Sequence, residues 1–144
     1  MEIVKVTEKD IPSILEIENE CFKHPYQEKD FLYELNENLF SNFYCLKEDD
    51  EIISYIIYWV TFDSATICKI ATKKSKRKLG FAGFLLENAL NLLKKQDVLF
   101  VTLEVRVSNI NAIELYKKYG FNKVNIKEKY YEDKEDALYM MRGL

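Results

Sequence analysis

Three segments of the chain carry residue types whose spacing could support chemistry, and the first is the basic stretch KKSKRKLGFAG at 73–83. Gly80 and Gly83, two of the chain's four glycines, would let the backbone approach a ligand closely. If a helix begins here, its unpaired N–H groups and its dipole favour an anion such as a phosphate. A solvent-exposed basic loop with no ligand, followed by a helix, is an equally good interpretation of this sequence. The stretch contains neither the GKS or GKT of a P-loop nor a GxGxxG pattern.

The second segment is the strand-like stretch TLEVRVSN at 102–109. Side chains alternate between the two faces of a strand. Leu103, Val105 and Val107 would therefore lie on one face, and Thr102, Glu104 and Arg106 on the other. An interior strand should be largely apolar on both faces, so a glutamate there becomes a candidate acid or base. On the pattern alone, an edge-strand Glu104 that faces water or pairs with Arg106 is favoured.

Tyrosines make up the third group of candidates. Tyr116 lies on the predicted helix 109–119, on a broad face with Ala112, Ile113 and Tyr119. A core aromatic with its hydroxyl bonded is the usual interpretation of such a residue. Tyr130 and Tyr131 are adjacent, and neighbouring residues of a strand point to opposite faces, so one of the two should be exposed or line a cleft. The single histidine, His24, precedes a proline and is interpreted as structural or surface.

The elements that would position these residues follow from hydrophobic periodicity. Helices are predicted at about 8–21, 27–37, 80–95 and 109–119, and strands at about 2–6, 40–47, 51–60, 65–72, 98–107, 121–130 and 136–142. Gly120 is a natural residue to end the last helix. The order β-α-α-β-β-β-α-β-α-β-β predicts an α/β protein with one mixed sheet and helices on its faces. No linker or repeat divides residues 1–144, so a single domain is expected.

Composition excludes several classes of protein. The 144 residues are 48% hydrophobic and 31% charged, which is unlike a disordered chain. The net charge of -3 gives no overall attraction to nucleic acid or to anionic membranes. Cys21, Cys45 and Cys68 have no metal-like spacing, so we expect reduced thiols, no metal and a cytoplasmic protein. The first residues lack the apolar core of a signal peptide, and no apolar run is long enough to span a membrane.

Two motifs, taken together, resemble those of the GNAT superfamily of N-acetyltransferases. The run from Arg77 to Ala82, RKLGFA, is similar to the pyrophosphate loop Q/R-x-x-G-x-G/A. The residues Asn109, Ala112, Leu115, Tyr116, Gly120 and Phe121 match the later motif N-x-x-A-x-x-L-Y-x-x-x-G-F. CFKHPYQEKDF, LEVRVSN and YYEDKEDALYMM resemble segments of the RimI-type enzymes, and the resemblance covers the whole chain. Two departures are Tyr26, where tryptophan is expected, and Ala82-Gly83 in place of a glycine at 82.

The resemblance implies a GNAT fold, which is one mixed, mostly antiparallel sheet with splayed central strands and helices on both faces. Acetyl-CoA would enter between those strands, and no metal is needed. The implied residues for binding acetyl-CoA are Ile70, Ala71, Thr72, Arg77, Lys78, Leu79, Gly80, Phe81, Ala82, Gly83, Phe84 and Asn109. Glu104 matches the general base and Tyr116 the general acid. Tyr26, Tyr130 and Tyr131 would lie against the acceptor substrate.

RimI-type enzymes acetylate the N-terminal alanine of the eighteenth small-subunit ribosomal protein, so a protein N-terminus, from a ribosomal protein, is the implied acceptor and partner. A GNAT enzyme that acts on a small amine is the first alternative. A nucleic-acid-binding module that uses KKSKRK is the second, and the acidic pI of about 5.3 stands against it. An inactive binding protein of the same fold is the third, which the intact Glu104, Asn109 and Tyr116 oppose.

Overall fold

The structure is a computed structural model that describes all 144 residues. The strands are β1 (Glu2–Lys5), β2 (Ser41–Glu48), β3 (Glu51–Thr61), β4 (Ser64–Thr72), β5 (Phe100–Arg106), β6 (Asn122–Lys127) and β7 (Ala137–Gly143). The α-helices are α1 (Ile11–Cys21), α2 (Glu28–Asn36), α3 (Phe81–Lys95) and α4 (Ile110–Lys118), with 3-10 turns at Glu8–Asp10 and Lys74–Lys76. The predicted order of elements is confirmed. Strand β6 is shorter than predicted because the chain turns away after Lys127.

All seven strands form one sheet in the order β1-β2-β3-β4-β5-β7-β6. Neighbouring strands are antiparallel except β4 and β5, which are parallel. The α/β class and the mixed, mostly antiparallel sheet are therefore confirmed. Strand β5 lies between β4 and β7, so it is an interior strand and not an edge.

The two central strands separate towards their carboxyl ends. Pairing between β4 and β5 runs from Ser64 opposite Phe100 to Ile67 opposite Leu103, and then stops. Strand β4 continues to Thr72 and β5 to Arg106, so their last residues border an open gap. This gap is the splay that the resemblance implies. The register of β3 against β4 shifts opposite Cys68, and such a bulge bends the strand where the separation begins.

The parallel pair also fixes which helix ends reach the gap. Because β4 and β5 run in the same direction, the chain leaves both at the same end of the sheet. From β4 it passes through 73–80 into α3, and from β5 through 107–109 into α4. The N-termini of both helices therefore flank the gap.

Helices cover both faces of the sheet and enclose two apolar cores. Leucines of α3, including Leu85, Leu86 and Leu93, pack with α4 and the inner strands on one face. Ile14 and Ile17 of α1 pack with Phe31 of α2 on the other face. Full burial of one such side chain stabilises a fold by about 1.5–3 kcal/mol, so the two cores stabilise the sheet from both faces.

Candidate active site

A run of unpaired backbone N–H groups lies at the start of α3. Lys78 and Gly80 both have positive φ, 65° and 86°, and Gly80 is the N-cap of the helix. None of the N–H groups from Lys78 through Gly83 donates a hydrogen bond within the protein. Successive unpaired amides at a helix N-terminus form an anion-binding concavity, and the helix dipole adds to its positive potential. The predicted phosphate site thus has backbone donors available. The Phe84 N–H is not among them, since it donates to the Gly80 carbonyl at 3.0 Å.

The two glycines of this turn serve different purposes. A Cβ placed on Gly80 would meet no atom within 4 Å, so the space in front of it is open. A Cβ on Gly83 would lie 2.4 Å from the Tyr119 hydroxyl and 2.9 Å from the ring. Gly80 therefore provides a left-handed turn beside free space, whereas Gly83 allows α3 to pack closely against Tyr119, which follows α4.

Ion pairs neutralise part of the basic stretch. Lys73 binds Glu51, and Lys76 lies 3.3 Å from Glu48. Lys78, next to the unpaired amides, is exposed and forms no ion pair. The local positive field that the sequence predicts is consequently weaker than the count of basic residues indicates, because only Lys74, Arg77 and Lys78 lack an ionic partner.

Arg77 turns back towards the end of β4. Its Nε donates to the Thr72 carbonyl at 3.4 Å, and its Nη2 lies 3.1 Å from the Cys21 sulfur. Burial raises the pKa of the Cys21 thiol, against the opposing effect of Arg77. Arg77 therefore ties the loop before α3 to both β4 and α1.

The gap-facing edge of β4 offers backbone groups beyond Ile67. The Lys73 N–H donates to the Ile53 carbonyl of β3 at 2.9 Å. Backbone groups of successive strand residues point to opposite edges, so those of Ala71 also face β3 and those of Ile70 and Thr72 face the gap. Of the three predicted cofactor-strand residues, Ile70 and Thr72 are the two whose backbone faces the gap, and the Thr72 carbonyl already accepts from Arg77 and from the Cys21 thiol.

Glu104 lies on β5 immediately past the last residue paired with β4. Its side chain is 19% exposed, and its Oε1 accepts a hydrogen bond from Lys127 Nζ at 2.7 Å. Neither pattern-based alternative describes it, because the strand is interior and the ionic partner is not Arg106. The Lys127 pKa is raised, first by its hydrogen bond to Glu104. A half-buried carboxylate that borders the gap is a suitable general base.

The Tyr116 ring is buried and packs edge-on against Phe121, with centroids 5.8 Å apart. Burial, and to a lesser degree Tyr131, raises the Tyr116 pKa, so the phenol stays neutral at physiological pH. Its hydroxyl forms no hydrogen bond within the protein, yet the buried side-chain polar atoms without partners are only Ser41 Oγ and Tyr58 Oη. The Tyr116 hydroxyl therefore has no partner within the protein and is available as a proton donor.

Asn109 caps α4 beside the gap. Its Oδ1 accepts from the Ala112 N–H at 3.2 Å, as an N-cap side chain does. The residue is exposed. Its amide nitrogen therefore remains free to donate to a ligand.

Tyr130 and Tyr131 lie in the β6–β7 loop, residues 128–136, and not in a strand. The prediction that they point to opposite faces is wrong, because β6 ends at Lys127 and the two rings pack edge-on with centroids 5.0 Å apart. Arg106 lies 4.1 Å from the Tyr131 ring centroid. The same guanidinium binds Asp133 at 2.9 Å. Tyr130 stays about half exposed, as one of the pair was expected to be.

The loop between α1 and α2, residues 22–27, forms the opposite wall. The Tyr26 N–H donates to Glu18 Oε2 at 2.8 Å, and its ring is half-buried. Burial is the main cause that raises the Tyr26 pKa to about 12. Exposed His24 lies 3.9 Å from Asp133 of the β6–β7 loop. The two loops that carry the predicted acceptor tyrosines therefore meet across the gap.

Sequence reasoning missed three side chains of this region, namely Glu18, Lys69 and Lys127. Glu18 is wholly buried and Lys69 Nζ binds it at 2.7 Å, while Lys127 binds Glu104. Glu18 lies next to Ile17 and four residues after Ile14, on the apolar stripe of α1, and that position was the available signal. The lysines carry no local signal, because their partners are distant along the chain.

A second concave region of the surface lies apart from the predicted site residues. A groove of about 410 Å³ lies between α4 and β6, lined in part by Val107, Ile110, Val124 and Ile126. It contains none of the predicted site residues. No cluster of three or more His, Cys, Asp and Glu side chains is placed to hold a metal ion. No helix combines the length and the apolar character that crossing a membrane requires.

Comparison with known proteins agrees with this geometry. The model of the acetyltransferase (GNAT) family matches residues 11–121. The ribosomal protein bS18-alanine N-acetyltransferase of Escherichia coli is 34% identical over 134 residues, which are 91% of this chain and 89% of that protein.

Two solved structures are also similar along the whole chain. The crystal structure of the ribosomal-protein-S18-alanine N-acetyltransferase from Escherichia coli has a TM-score of 0.90 at 31% identity and covers 99% of this chain and 92% of that one. Ard1 from Thermoplasma volcanium has a TM-score of 0.92 at 29% identity, with 99% and 97% covered. The RimI-type resemblance is therefore confirmed, and this chain is an acyltransferase that belongs to the acetyltransferase (GNAT) family.

Proposed function

We propose that this protein transfers the acetyl group of acetyl-CoA to the N-terminal α-amine of a protein, with the N-terminal alanine of a small-subunit ribosomal protein as its acceptor. The observation that carries the proposal is the gap between β4 and β5. Unpaired amides lie beside it at the start of α3, and Glu104 lies on β5 just past the last residue that pairs with β4. Tyr116 of α4 would reach into the same gap. The Escherichia coli relative that is named for this reaction supports the choice of acceptor.

The residues present fit acetyl-CoA. Its diphosphate would accept hydrogen bonds from the amides of Lys78 through Gly83, where the open space at Gly80 admits the phosphates. The exposed ammonium of Lys78 would add a charge-assisted contact. The amide-rich pantetheine arm would lie along Ile70 and Thr72, and the Asn109 amide would donate to it. The bound thioester supplies an electrophilic carbonyl to the acceptor amine.

Glu104 would act as the general base. A peptide α-amine has a pKa of about 7.7–8.0, against about 10.4 for lysine, so roughly a tenth of it is already neutral at pH 7. The incoming ammonium would compete with Lys127 for the Glu104 carboxylate, and Lys127 can yield because its side chain is 38% exposed. Glu104 would then accept the proton that the amine loses when its nitrogen bonds to the acetyl carbon.

Tyr116 would act as the general acid. The leaving thiolate of the donor needs a proton as the carbon–sulfur bond breaks. The Tyr116 phenol is kept neutral by burial, and its hydroxyl has no partner within the protein. It can therefore donate to the sulfur without first breaking an internal hydrogen bond.

The α1–α2 loop and the β6–β7 loop would enclose the acceptor peptide. Tyr26 stands on one wall and Tyr130 and Tyr131 on the other, and contact between His24 and Asp133 narrows the opening between them. A narrow slot suits an extended chain terminus better than a lysine that projects from a folded surface. This geometry favours a peptide N-terminus over an internal amine.

The proposal can be tested with purified protein, acetyl-CoA and a panel of peptides that differ only in their first residue, read by mass spectrometry. Peptides that begin with alanine should be acetylated once, with a higher kcat/KM than peptides that begin with bulky or charged residues. A small polyamine serves as the comparison substrate. Turnover on the polyamine with none on any peptide would contradict the proposal and would indicate a small-molecule acetyltransferase.

A further inference from the structure

A lysine to which the proposed mechanism gives no role is buried beside the gap. Lys69 lies on β4, two residues beyond Ile67, where β4 and β5 part. The bulge at Cys68, which has no partner on β3, turns both Cys68 and Lys69 towards the face that α1 and α2 cover. The Lys69 side chain is only 10% exposed. An ordinary β-strand alternation would have placed it on the other face.

Lys69 is held by a carboxylate and two aromatic rings. Its Nζ lies 2.7 Å from Glu18 Oε2, 4.0 Å from the Phe22 ring centroid and 4.1 Å from the Tyr26 ring centroid. Glu18 also accepts hydrogen bonds from the Tyr26 N–H and from the Tyr55 hydroxyl. Phe22 and Tyr26 lie near the two ends of the α1–α2 loop, so one ammonium contacts both.

Fold stability alone does not explain this arrangement. Withdrawing two charges from water can offset what their attraction gains, so a buried ion pair is weak support for a purely stabilising role. The loop that Lys69 contacts has no helix or strand of its own. That loop also carries His24, which meets Asp133 of the opposite wall. The ammonium therefore contacts both ends of a segment that also meets the β6–β7 loop.

We propose that Lys69 is a positioning residue that holds the α1–α2 loop in the conformation that receives the acceptor peptide, and so sets peptide affinity without contacting the acetyl donor. This inference rests on the proposed function, since it takes the space between the two loops as the peptide slot. It assigns Lys69 no part in proton transfer. Its effect should appear in the KM for peptide and not in the KM for acetyl-CoA.

The test compares Lys69→Met with Lys69→Arg and with Lys47→Met. Lys47 pairs with Asp10 at 3.0 Å, away from the gap, and serves as a matched loss of a half-buried ion pair. Lys69→Met should raise the peptide KM at least about fivefold, because it removes both cation–π contacts, while kcat and the KM for acetyl-CoA stay within about twofold. Lys69→Arg can stack on the same rings and bind the carboxylate, so it should recover most of the peptide affinity. Lys47→Met should change neither KM.

A second variant keeps the inference testable if Lys69→Met does not fold. Phe22→Leu removes one ring and leaves the Lys69–Glu18 ion pair, and it should raise the peptide KM about two- to threefold, with little change for acetyl-CoA. An unchanged peptide KM in folded Lys69→Met, or an equal change in both KM values, would overturn the inference. An unchanged peptide KM in Phe22→Leu would overturn it if Lys69→Met is unfolded.

Failure of the proposed function would be recognised separately, from a wild-type protein that acetylates no peptide. In that case amide hydrogen exchange decides the role of Lys69. Exchange of residues 22–27 should be faster in Lys69→Met than in wild type and unchanged in Lys47→Met. Equal exchange in all three proteins would show that Lys69 does not hold the loop.

Discussion

Replacing Gly80 with alanine tests the anion site, and Gly120 provides a matched control. Both glycines have a left-handed backbone, with φ of 86° and 90°. A Cβ at Gly80 meets nothing within 4 Å, and one at Gly120 lies 3.3 Å from the Arg142 side chain, which donates to the Tyr119 carbonyl. The two alanine variants therefore introduce similar backbone strain, but only one lies beside the unpaired amides.

The size of the strain follows from the backbone angles. An L-residue in the left-handed region costs roughly 1–2 kcal/mol relative to glycine. For a domain of this length, each kcal/mol lowers Tm by roughly 3–4 °C, so both variants should melt about 3–8 °C below wild type. Similar losses in the two variants would show that folding responds to strain alone at both positions.

Calorimetry with CoA then separates binding from stability. Gly80→Ala should weaken CoA binding at least about tenfold, because its methyl group enters the space in front of the amides and disturbs charge-assisted hydrogen bonds. Gly120→Ala should retain wild-type affinity within about twofold. Equal affinity of Gly80→Ala and wild type, with the expected fall in Tm, would refute the assignment of residues 78–83 to the diphosphate.

Further outcomes follow from the same structure. Glu104→Gln and Tyr116→Phe should each lower kcat at least about tenfold in steady-state assays, while CoA affinity stays near wild type. Only the Glu104 variant should recover part of its kcat at high pH, because more of the amine is already neutral there. Glu18→Gln should lower the free energy of unfolding in urea by about 3–5 kcal/mol, because it leaves the Lys69 ammonium without its charged partner. Burial opposes ionisation of Asp10, but the Thr7 N–H and Lys47 outweigh it, so the Asp10 pKa lies below its ordinary value. Its contribution is therefore present above about pH 4 and is lost as pH falls further, so the stability difference between wild type and Asp10→Asn should shrink on acidification.

The Glu18 prediction has a control in the same helix, and the other two predictions each have an outcome that would contradict them. Exposed Glu16, on the same helix as Glu18, should tolerate replacement with glutamine without measurable loss of stability. Near-normal kcat in both the Glu104 and the Tyr116 variants would show that the protein only positions its substrates. A stability difference for Asp10→Asn that does not vary between pH 7 and pH 3 would exclude its titration as the cause.

The sequence was informative about elements because their hydrophobic periods are regular. The alternation of 102–107 and the apolar stripe of 80–95 predicted β5 and α3 close to their observed bounds. The glycines at 80 and 83 marked the helix start, but both were assigned to the ligand. Contact between Gly83 and Tyr119 depends on how α3 packs against the residue after α4, which local patterns do not specify.

The main errors of the sequence analysis concerned the ionic partners of charged residues, because the register of the sheet determines which side chains meet. Glu104 lies opposite Tyr139 of β7, and β6 on the far side of β7 brings Lys127 within reach. Arg106, two residues from Glu104, turns instead to the β6–β7 loop. No pattern in a single strand encodes such pairings across three strands. The sequence analysis nevertheless predicted that one of Tyr130 and Tyr131 would be exposed, although its reason, that the two lie in a strand, was wrong.

A competition between two amines of one peptide shows whether the gap acetylates an N-terminal α-amine. A peptide with a free N-terminal alanine and one internal lysine is incubated with acetyl-CoA at pH 7, and tandem mass spectrometry locates the acetyl group. We expect acetylation at the α-amine and little at lysine, because far more of the α-amine than of the lysine amine is neutral at pH 7. Acetylation at lysine as fast as at the N-terminus, or turnover of the same peptide with its N-terminus blocked, would contradict it.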